Sequence, residues 1–410
     1  MTKLLSVDEA QRSILGVFHP VDHIDVNLED CLGRVLSQDI AATIDLPSFT
    51  NSSMDGYAVQ AADVSRASLE QPVRLVVSTE SAAGSSLATT IKTGEAARIM
   101  TGAPLPEGAD AVIPVEDTRN PADNLVEILR PVQAGDYLRP RGMDVRAGQA
   151  ILERGRRIRP QDAGMLAMLG HARVPVYRRP RVALMSSGNE LVEPGHTLAP
   201  GQIYDANRYA LGALIQSAGA DLLSLGACPD DPEEVSARLD RGVAAGVDLI
   251  ITTAGVSVGA YDFIRQVLDQ RGHLMLWRVD MRPGKPVAFG RYGGVPLIGL
   301  PGNPVSAFVT FMVFIHPVLR RLQGVSDTRL RRRLAVTTAP LESDGRESYL
   351  RGVVHADGDR WLAAPDPNQS SANMFSLVQA NALLIVPSGV KSLPIGAKVE
   401  FWSLGDGLDE

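Results

Sequence analysis

Residues 252–262, Thr-Thr-Ala-Gly-Val-Ser-Val-Gly-Ala-Tyr-Asp, carry a Gly-x-Ser-x-Gly spacing at Gly255, Ser257 and Gly259. On a sharp turn from strand to helix, that spacing can expose a nucleophilic serine. Equally, glycines let backbone N–H groups close on a phosphate where a helix begins. The nucleophile reading requires a histidine base later in the chain, held by an acid. His273 follows the glycine that ends a predicted helix, His316 precedes a proline in an apolar run, and His355 belongs to a β-rich C-terminal stretch. No His-Gly-Gly run precedes the serine, so no triad assembles, and Ser257 reads as a hydrogen-bond donor to an anion. Gly284-Lys285 is followed by proline where a Walker loop needs Ser or Thr, and no Gly-x-Gly-x-x-Gly follows the first strand of this region.

Further groups suit the same chemistry. Ser186, Ser187 and Gly188 form one Gly/Ser loop, and Pro301, Gly302, Asn303, Pro304 and Ser306 form another ahead of a predicted helix. Glu190, Asp205, Asp230, Asp231 and Asp262 lie among these loops. Carboxylates beside a phosphate site repel the ligand unless a cation lies between them, and Mg²⁺ fits one or two carboxylates plus phosphate oxygens. Asp231 reads instead as the cap of a helix starting at Pro232, whereas Asp230 and Asp262 suit either a cap or a cation ligand. Arg282 and Lys285, in a Pro/Gly-constrained loop, read as an anion contact, with a plain surface turn as the alternative.

Those loops need a frame that brings them to one edge. From 181 to 323, short apolar runs alternate with helical patterns: "RVALMSSG", "RYALGALIQSAG", "ADLLSLGAC", "PEEVSARLDRGVAAG", "VDLIITTAG" and "VPLIGLPGN". This alternation predicts a parallel, doubly wound sheet, which binds ligands at the carboxyl ends of its strands. Segments 186–190, 228–231, 252–262 and 299–306 all fall at that edge. Residues 6–36 read as short helical patterns with polar breaks. From 72 to 152, short β-rich runs separated by Gly and Pro predict a small β domain, and from 330 a second one follows with no helices.

With 410 residues, 45% of them hydrophobic and 21% charged, the chain suits two to four soluble domains. A net charge of −7 argues against nucleic acid as a partner. Cys31 and Cys228 are far apart with no metal-ligand spacing, which suggests a reducing compartment, and the N-terminus lacks the pattern of a signal peptide. "AFVTFMVFIHPVL" (307–319) reads as a buried helix too short to span a membrane. A cytoplasmic location is expected, with no membrane partner. The basic runs 154–160 and 329–334 fall at expected domain boundaries and read as solvated linkers.

"PSFTNSSMDGYAV", "RIMTGAPLPEGADAVIPVED", "SSGNEL", "IYDANRYAL", "TTAGVSVGAYD", "PGKPVAFG" and "GLPGNPVSA" occur in this order along nearly the whole chain. The set resembles the molybdopterin molybdenumtransferases, the MoeA-type enzymes similar to the C-terminal domain of gephyrin. Thr50, Asn189, Ala254 and Arg282 depart from that pattern, standing where aspartate, aspartate, glycine and lysine are usual.

The resemblance implies a multidomain α/β and β fold. Its parts are an elongated discontinuous N-terminal domain (1–46 and 145–178), an inserted β domain (47–144), a doubly wound α/β molybdopterin-binding domain (179–326) and a C-terminal β barrel (327–410). It implies insertion of molybdate into adenylylated molybdopterin with Mg²⁺, releasing AMP and molybdenum cofactor. It also implies a homodimer whose cleft receives Asp55 and Thr101 from the partner subunit, with Asp144 a further acidic contributor. Glu190, Asp230 and Asp262 become cation or catalytic residues, and Arg282, Lys285, Pro301 and Pro304 shape the anion end. Molybdopterin adenylyltransferase and other proteins of the cofactor pathway are the implied protein partners. Two alternatives accompany this reading: an adenylyltransferase, because such proteins resemble the α/β domain alone, and a non-catalytic cofactor-binding scaffold.

Overall fold

The computed structural model describes residues 4–84, 89–253 and 263–404. The chain divides into two compact units, one of 1–38, 154–164 and 172–410, the other of 39–153 and 165–171.

The first unit contains the strand–helix alternation. Its strands are β1 (Arg181–Ser187), β2 (Asp221–Cys228), β3 (Leu249–Thr253), β4 (Gly272–Arg278), β5 (Pro286–Tyr292) and β6 (Val295–Leu300). They lie in the order β2-β1-β3-β6-β5-β4, with the first four parallel and the last two antiparallel. The expected parallel sheet is therefore mixed, because "DMRPGKPVAFG" carries a strand from Pro286 where a loop was expected. Side chains alternate along β1: Val182 and Leu184 join one core with Ile251, Ile298 and Phe311, while Ala183 and Met185 join another with Val235, Leu239 and Leu268. Burial on both faces explains why these strands read as continuous apolar runs.

Helix α1 (Ala206–Ser217) leads from β1 to β2, α2 (Pro232–Ala244) from β2 to β3, and α3 (Phe263–Arg271) from β3 to β4. Asp231 caps α2 as its position suggests, accepting the Glu233 and Glu234 amides at 2.9 and 3.0 Å. Connections leave β1 and β3 in opposite directions across the sheet, so the topological switch point lies between their carboxyl ends. The apolar stretch after β6 is longer than the sequence suggests. One helical run covers Pro304–Leu322, with a π-type segment at Phe311–Ile315, and its most apolar window is 83% buried inside the protein. Length and composition alone would let it cross a membrane, but here its side chains fill the core.

Residues 6–36 form less helix than their pattern implies. Ser6 and Glu9 make a reciprocal capping box at the start of helix Val7–Leu15. The chain then turns to a strand, His23–Asn27, paired antiparallel with Arg173–Tyr177. The C-terminal strands β7 (Arg333–Thr337), β8 (Glu347–Asp357), β9 (Arg360–Pro365), β10 (Ala382–Val386) and β11 (Lys398–Ser403) pair around a closed ring, β7-β9-β8-β10-β11 and back to β7. Closure leaves this barrel without a free edge. Contrary to the all-β expectation, a short helix, Met374–Gln379, lies between β9 and β10.

The second unit holds a six-stranded sheet whose strand Gly56–Val59 is wholly buried between Glu95–Ile99 and Ala111–Pro114. A Cβ on Gly56 would lie 1.9 Å from the Ile113 carbonyl oxygen, so "MDGYAV" needs glycine at that position.

Candidate functional site

The switch-point edge is built by backbone pairing. Ser186 of β1 pairs with Thr253 of β3, and the Ser187 hydroxyl donates to the Thr253 carbonyl at 3.3 Å. The Gly188 amide donates to the Cys228 carbonyl at 3.0 Å, tying the end of β1 to the end of β2. Gly188 has φ +150°, and a side chain there would strike the Glu190 carboxylate, whose oxygens lie 2.6 and 2.8 Å from the position of a Cβ. Glu190 thus folds back over a residue that must be glycine. Next to it, Asn189 Oδ1 accepts the Asp230 amide at 3.1 Å. Burial, and then the Glu190 charge, push the Asp230 carboxyl above its ordinary value.

Two expected ligands serve the frame. The Asp205 side chain is buried and accepts the Ser186 hydroxyl at 3.1 Å, the Arg208 amide at 3.1 Å and Arg208 Nε at 3.2 Å. Through these bonds it caps α1 and holds the loop after β1. Ser186 is buried and bonded to Asp205, while Asp205 also borders the cavity described next, so its side chain shapes the site from within the wall.

Ser187, Glu190, Thr253, Pro301, Gly302, Asn303 and Pro304 line one cavity of 550 Å³, together with Leu191, Ile203, Tyr204 and Asn207. Asn207 Nδ2 donates to the Gly302 carbonyl at 2.6 Å, fixing the loop after β6 against α1. Pro304 opens the long helical run, a position where its missing N–H costs nothing.

Arg282, Lys285 and Ser306 line a second cavity of 450 Å³, and Pro286 borders both. Its other wall comes from the barrel: Arg346, Tyr349, Arg351, Gln369, Ser370 and Ser371. Met281–Arg282 pairs in parallel with Glu347–Ser348 at the start of β8, and Arg346 Nη1 donates to the Met281 carbonyl at 3.0 Å. Arg346 is neutralised by Asp344. The Arg351 side chain is 1% exposed; its Nε donates to the Ser376 hydroxyl and its Nη2 to the Asn368 and Ser370 carbonyls. Arg282, Lys285 and Arg351 have no ion-pair partner among the described residues. The Thr310 hydroxyl, buried and without a partner among the described residues, lies 2.4 Å from where a Cβ on Gly284 would stand. Three cations without a direct ion pair thus face one cavity, with Asp344 and Asp366 acting on Arg282 and Arg351 from farther away.

Sequence reasoning missed the barrel residues. Arg351 lies in a β strand, where an arginine ordinarily reads as a solvated outward charge. Its available signal was an arginine inside the otherwise uncharged "YLRGVV", where Tyr349, Leu350, Gly352 and Val354 are buried beside it.

In the second unit, Asp55 Oδ1 accepts the Thr101 amide at 2.7 Å and the Thr101 hydroxyl at 2.9 Å. Those two bonds, amide first, hold the Asp55 carboxyl below its ordinary value. Asp144 pairs with Arg139 at 2.6 Å. Gly255, Ser257, Gly259 and Asp262 lie outside the described residues. Among the described residues no group of three His, Cys, Asp or Glu gathers as a metal cluster.

Fold and cavities define a multidomain α/β protein with two cavities, one at the sheet's switch-point edge and one between the sheet domain and a β barrel. The chain matches the MoeA N-terminal region (domain I and II) over 5–170, the Probable molybdopterin binding domain over 183–321 and the MoeA C-terminal region (domain IV) over 335–404. It is 40% identical to molybdopterin molybdenumtransferase 2 of Mycobacterium tuberculosis, covering 97% of this chain and 99% of that one. It is 38% identical to the molybdopterin molybdenumtransferase of a Nostoc species, covering 91% and 87%. A crystal structure of the molybdopterin biosynthesis MoeA protein of Pyrococcus horikoshii superposes with a TM-score of 0.86 at 32% identity, covering 98% of this chain and 100% of that one. The chain belongs to the molybdopterin molybdenumtransferases, transferase enzymes of molybdenum cofactor biosynthesis.

Proposed function

We propose that the protein inserts molybdate into adenylylated molybdopterin, releasing AMP and molybdenum cofactor. The observation that carries this reading is the adjacency of two cavities along Pro286, one bordered by carboxylate and loop groups, the other by cations. A substrate pyrophosphate suits the first, where the loops after β1 and β6 present Gly302 and the Ser187 hydroxyl. Molybdate, a tetrahedral dianion, suits the second, facing Lys285, Arg282 and Arg351 with Ser306 at the wall.

The Glu190–Asp230 pair fits Mg²⁺. Burial, and then the Glu190 charge, raise the proton affinity of Asp230, and carboxylate oxygens match an ion that keeps waters and phosphate oxygens as its remaining ligands. Asp262, which precedes Phe263 in the sequence, is proposed as the third carboxylate. When bound, Mg²⁺ would supply charge neutralisation at the phosphoanhydride. The chain's own groups position the reactants: Gly188 and Asn189 fix Glu190 and Asp230, while the cationic wall concentrates the oxyanion. Phosphoanhydride cleavage demands positioning and charge stabilisation more than a protein nucleophile, which accounts for a Gly-x-Ser-x-Gly loop without a histidine.

Asp55, Thr101 and Asp144 are proposed as contributors from the partner subunit of a homodimer. A cytoplasmic enzyme that receives its substrate from an adenylyltransferase completes the reading. AMP release from adenylylated molybdopterin with Mg²⁺, with and without molybdate, tests it. Release that depends on molybdate and is lost in Glu190→Gln supports insertion. Bound substrate with no release under either condition would favour a scaffold.

A further inference from the structure

At the amino ends of β1 and β2, about 20 Å along the strands from the Ser187 loop, lies a cavity of 190 Å³ lined by Arg34, Arg157, Arg178 and Arg179. No Asp or Glu lines it; Ser217 and Gln323 complete its polar wall. The four arginines are not equivalent. Arg178 is neutralised by Asp248, with both guanidinium contacts at 2.7 Å, and lies 3.7 Å from Asp22. Arg157 donates to the Gly33 carbonyl at 2.8 Å and to Gln323 Oε1 at 3.3 Å, so it is fixed as part of the wall.

Arg34 and Arg179 differ from these. Arg34 makes one hydrogen bond, Nη2 to the Tyr177 carbonyl at 3.0 Å, and has no ion-pair partner among the described residues. Its half-buried guanidinium lies near the Arg179 charge, and burial followed by that repulsion lowers its pKa. Arg179 reaches only Asp221, at 3.9 Å. Asp221 and Asp30 offset this repulsion in part, but neither lines the cavity, so the two guanidiniums face it with room for an anion between them.

The carbonyls nearby are engaged by other donors. The Ala218 and Leu319 carbonyls take Gln323 Nε2 at 2.8 and 3.0 Å, and the Leu214 carbonyl takes the Ser217 hydroxyl at 3.1 Å. Gly219, with φ +82°, leaves the wall open, since a Cβ there would press to 3.0 Å on Gln323 Oε1. The volume falls below the roughly 300 Å³ at which drug-sized pockets begin, which suits one small anion.

We infer that this cavity binds a single tetrahedral dianion of phosphate type through Arg34 and Arg179, independently of the switch-point site. The dianion is either free inorganic phosphate or the phosphoryl group of a monophosphate ester. The test is thermal unfolding and calorimetric titration of the full-length protein with inorganic phosphate and with glycerol 3-phosphate, ionic strength being matched with chloride. Lys285→Ala removes one of the three cations that the other cavity offers to oxyanions and so weakens binding there. Phosphate binding is expected to persist in Lys285→Ala and to weaken about tenfold or more in Arg179→Gln. Arg179 is exposed, so its variant keeps the fold if Arg34→Gln does not. Binding that is absent in Lys285→Ala, or unchanged in Arg179→Gln, overturns the proposal. If binding persists, tighter association of the ester identifies a phosphoryl group as the ligand, and tighter association of inorganic phosphate identifies the free anion.

Discussion

Asn189 Oδ1 accepts the Asp230 backbone amide at 3.1 Å, locking the loop after β1 to the loop after β2. This bond holds Asp230 within reach of the Glu190 charge, a juxtaposition that favours protonation of Asp230. A carboxyl raised above its unfolded value binds protons more readily in the folded state. Stability is therefore lost as pH rises through the window between the two values, and the loss persists at neutral pH. Asp230→Asn should raise the melting temperature slightly at neutral pH, by about 1 °C, and the gain should vanish at acidic pH. Added Mg²⁺ should stabilise the wild type more than the variant. A melting series against pH, with and without Mg²⁺, checks both.

Gly188→Ala tests the geometry of the carboxylate directly. The new methyl would stand 2.6 Å from Glu190 Oε2, and φ +150° is itself unfavourable for alanine. Glu190 must swing away while the rest of β1 stays buried. The expected result is kcat/KM lower by roughly a hundredfold, with a far-UV spectrum like that of the wild type. An active variant would remove Glu190 from the proposed chemistry.

Arg351 organises the barrel's face of the cationic cavity. Replacing it with alanine leaves the Asn368 and Ser370 carbonyls and the Ser376 hydroxyl without their donor, which costs on the order of 3 kcal/mol. Lysine keeps the charge but cannot reproduce a planar fork that serves three partners. Arg351→Lys should remain folded and require more molybdate for half-maximal rate, with little change in the apparent KM for the pterin substrate. Steady-state kinetics varying each substrate in turn separates these effects.

How far the sequence reveals this molecule depends on how local the signals are. β1, β2, β3 and β6 are legible because each is a short apolar run bounded by Gly, Pro or a cap such as Asp231. β4 and β5 are not, since Pro283, Gly284 and Pro286 punctuate their connection and mimic a loop. The signal that remained was Gly293-Gly294, whose positive φ angles of 55° and 84° build the tight hairpin between β5 and β6. At the site, the loop residues announce themselves through composition. Arg351 does not, because its burial depends on residues 368–376, a separate segment that folds over that face of β8. Asp205 is visible as a conspicuous acid before a helix, but only the structure reveals that Ser186 and Arg208 already occupy it.

Asp55 and Thr101 give the last prediction. The Thr101 amide and hydroxyl both donate to one carboxylate oxygen of Asp55, which lowers its pKa. A depressed carboxyl stabilises the fold at pH above its unfolded value, and that contribution is lost as pH falls through the folded one. Thr101→Val keeps the amide bond and removes the hydroxyl, so it should lose only part of the effect, whereas Asp55→Asn should lose all of its pH dependence. Melting curves of the three proteins should therefore differ at neutral pH and converge on acidification below about pH 4. If Asp55 also serves the reaction, Asp55→Asn should lower kcat at neutral pH well beyond Thr101→Val, at a temperature where both are folded. Equal rates in the two variants would confine the pair to holding the turn between Met100 and Ala103.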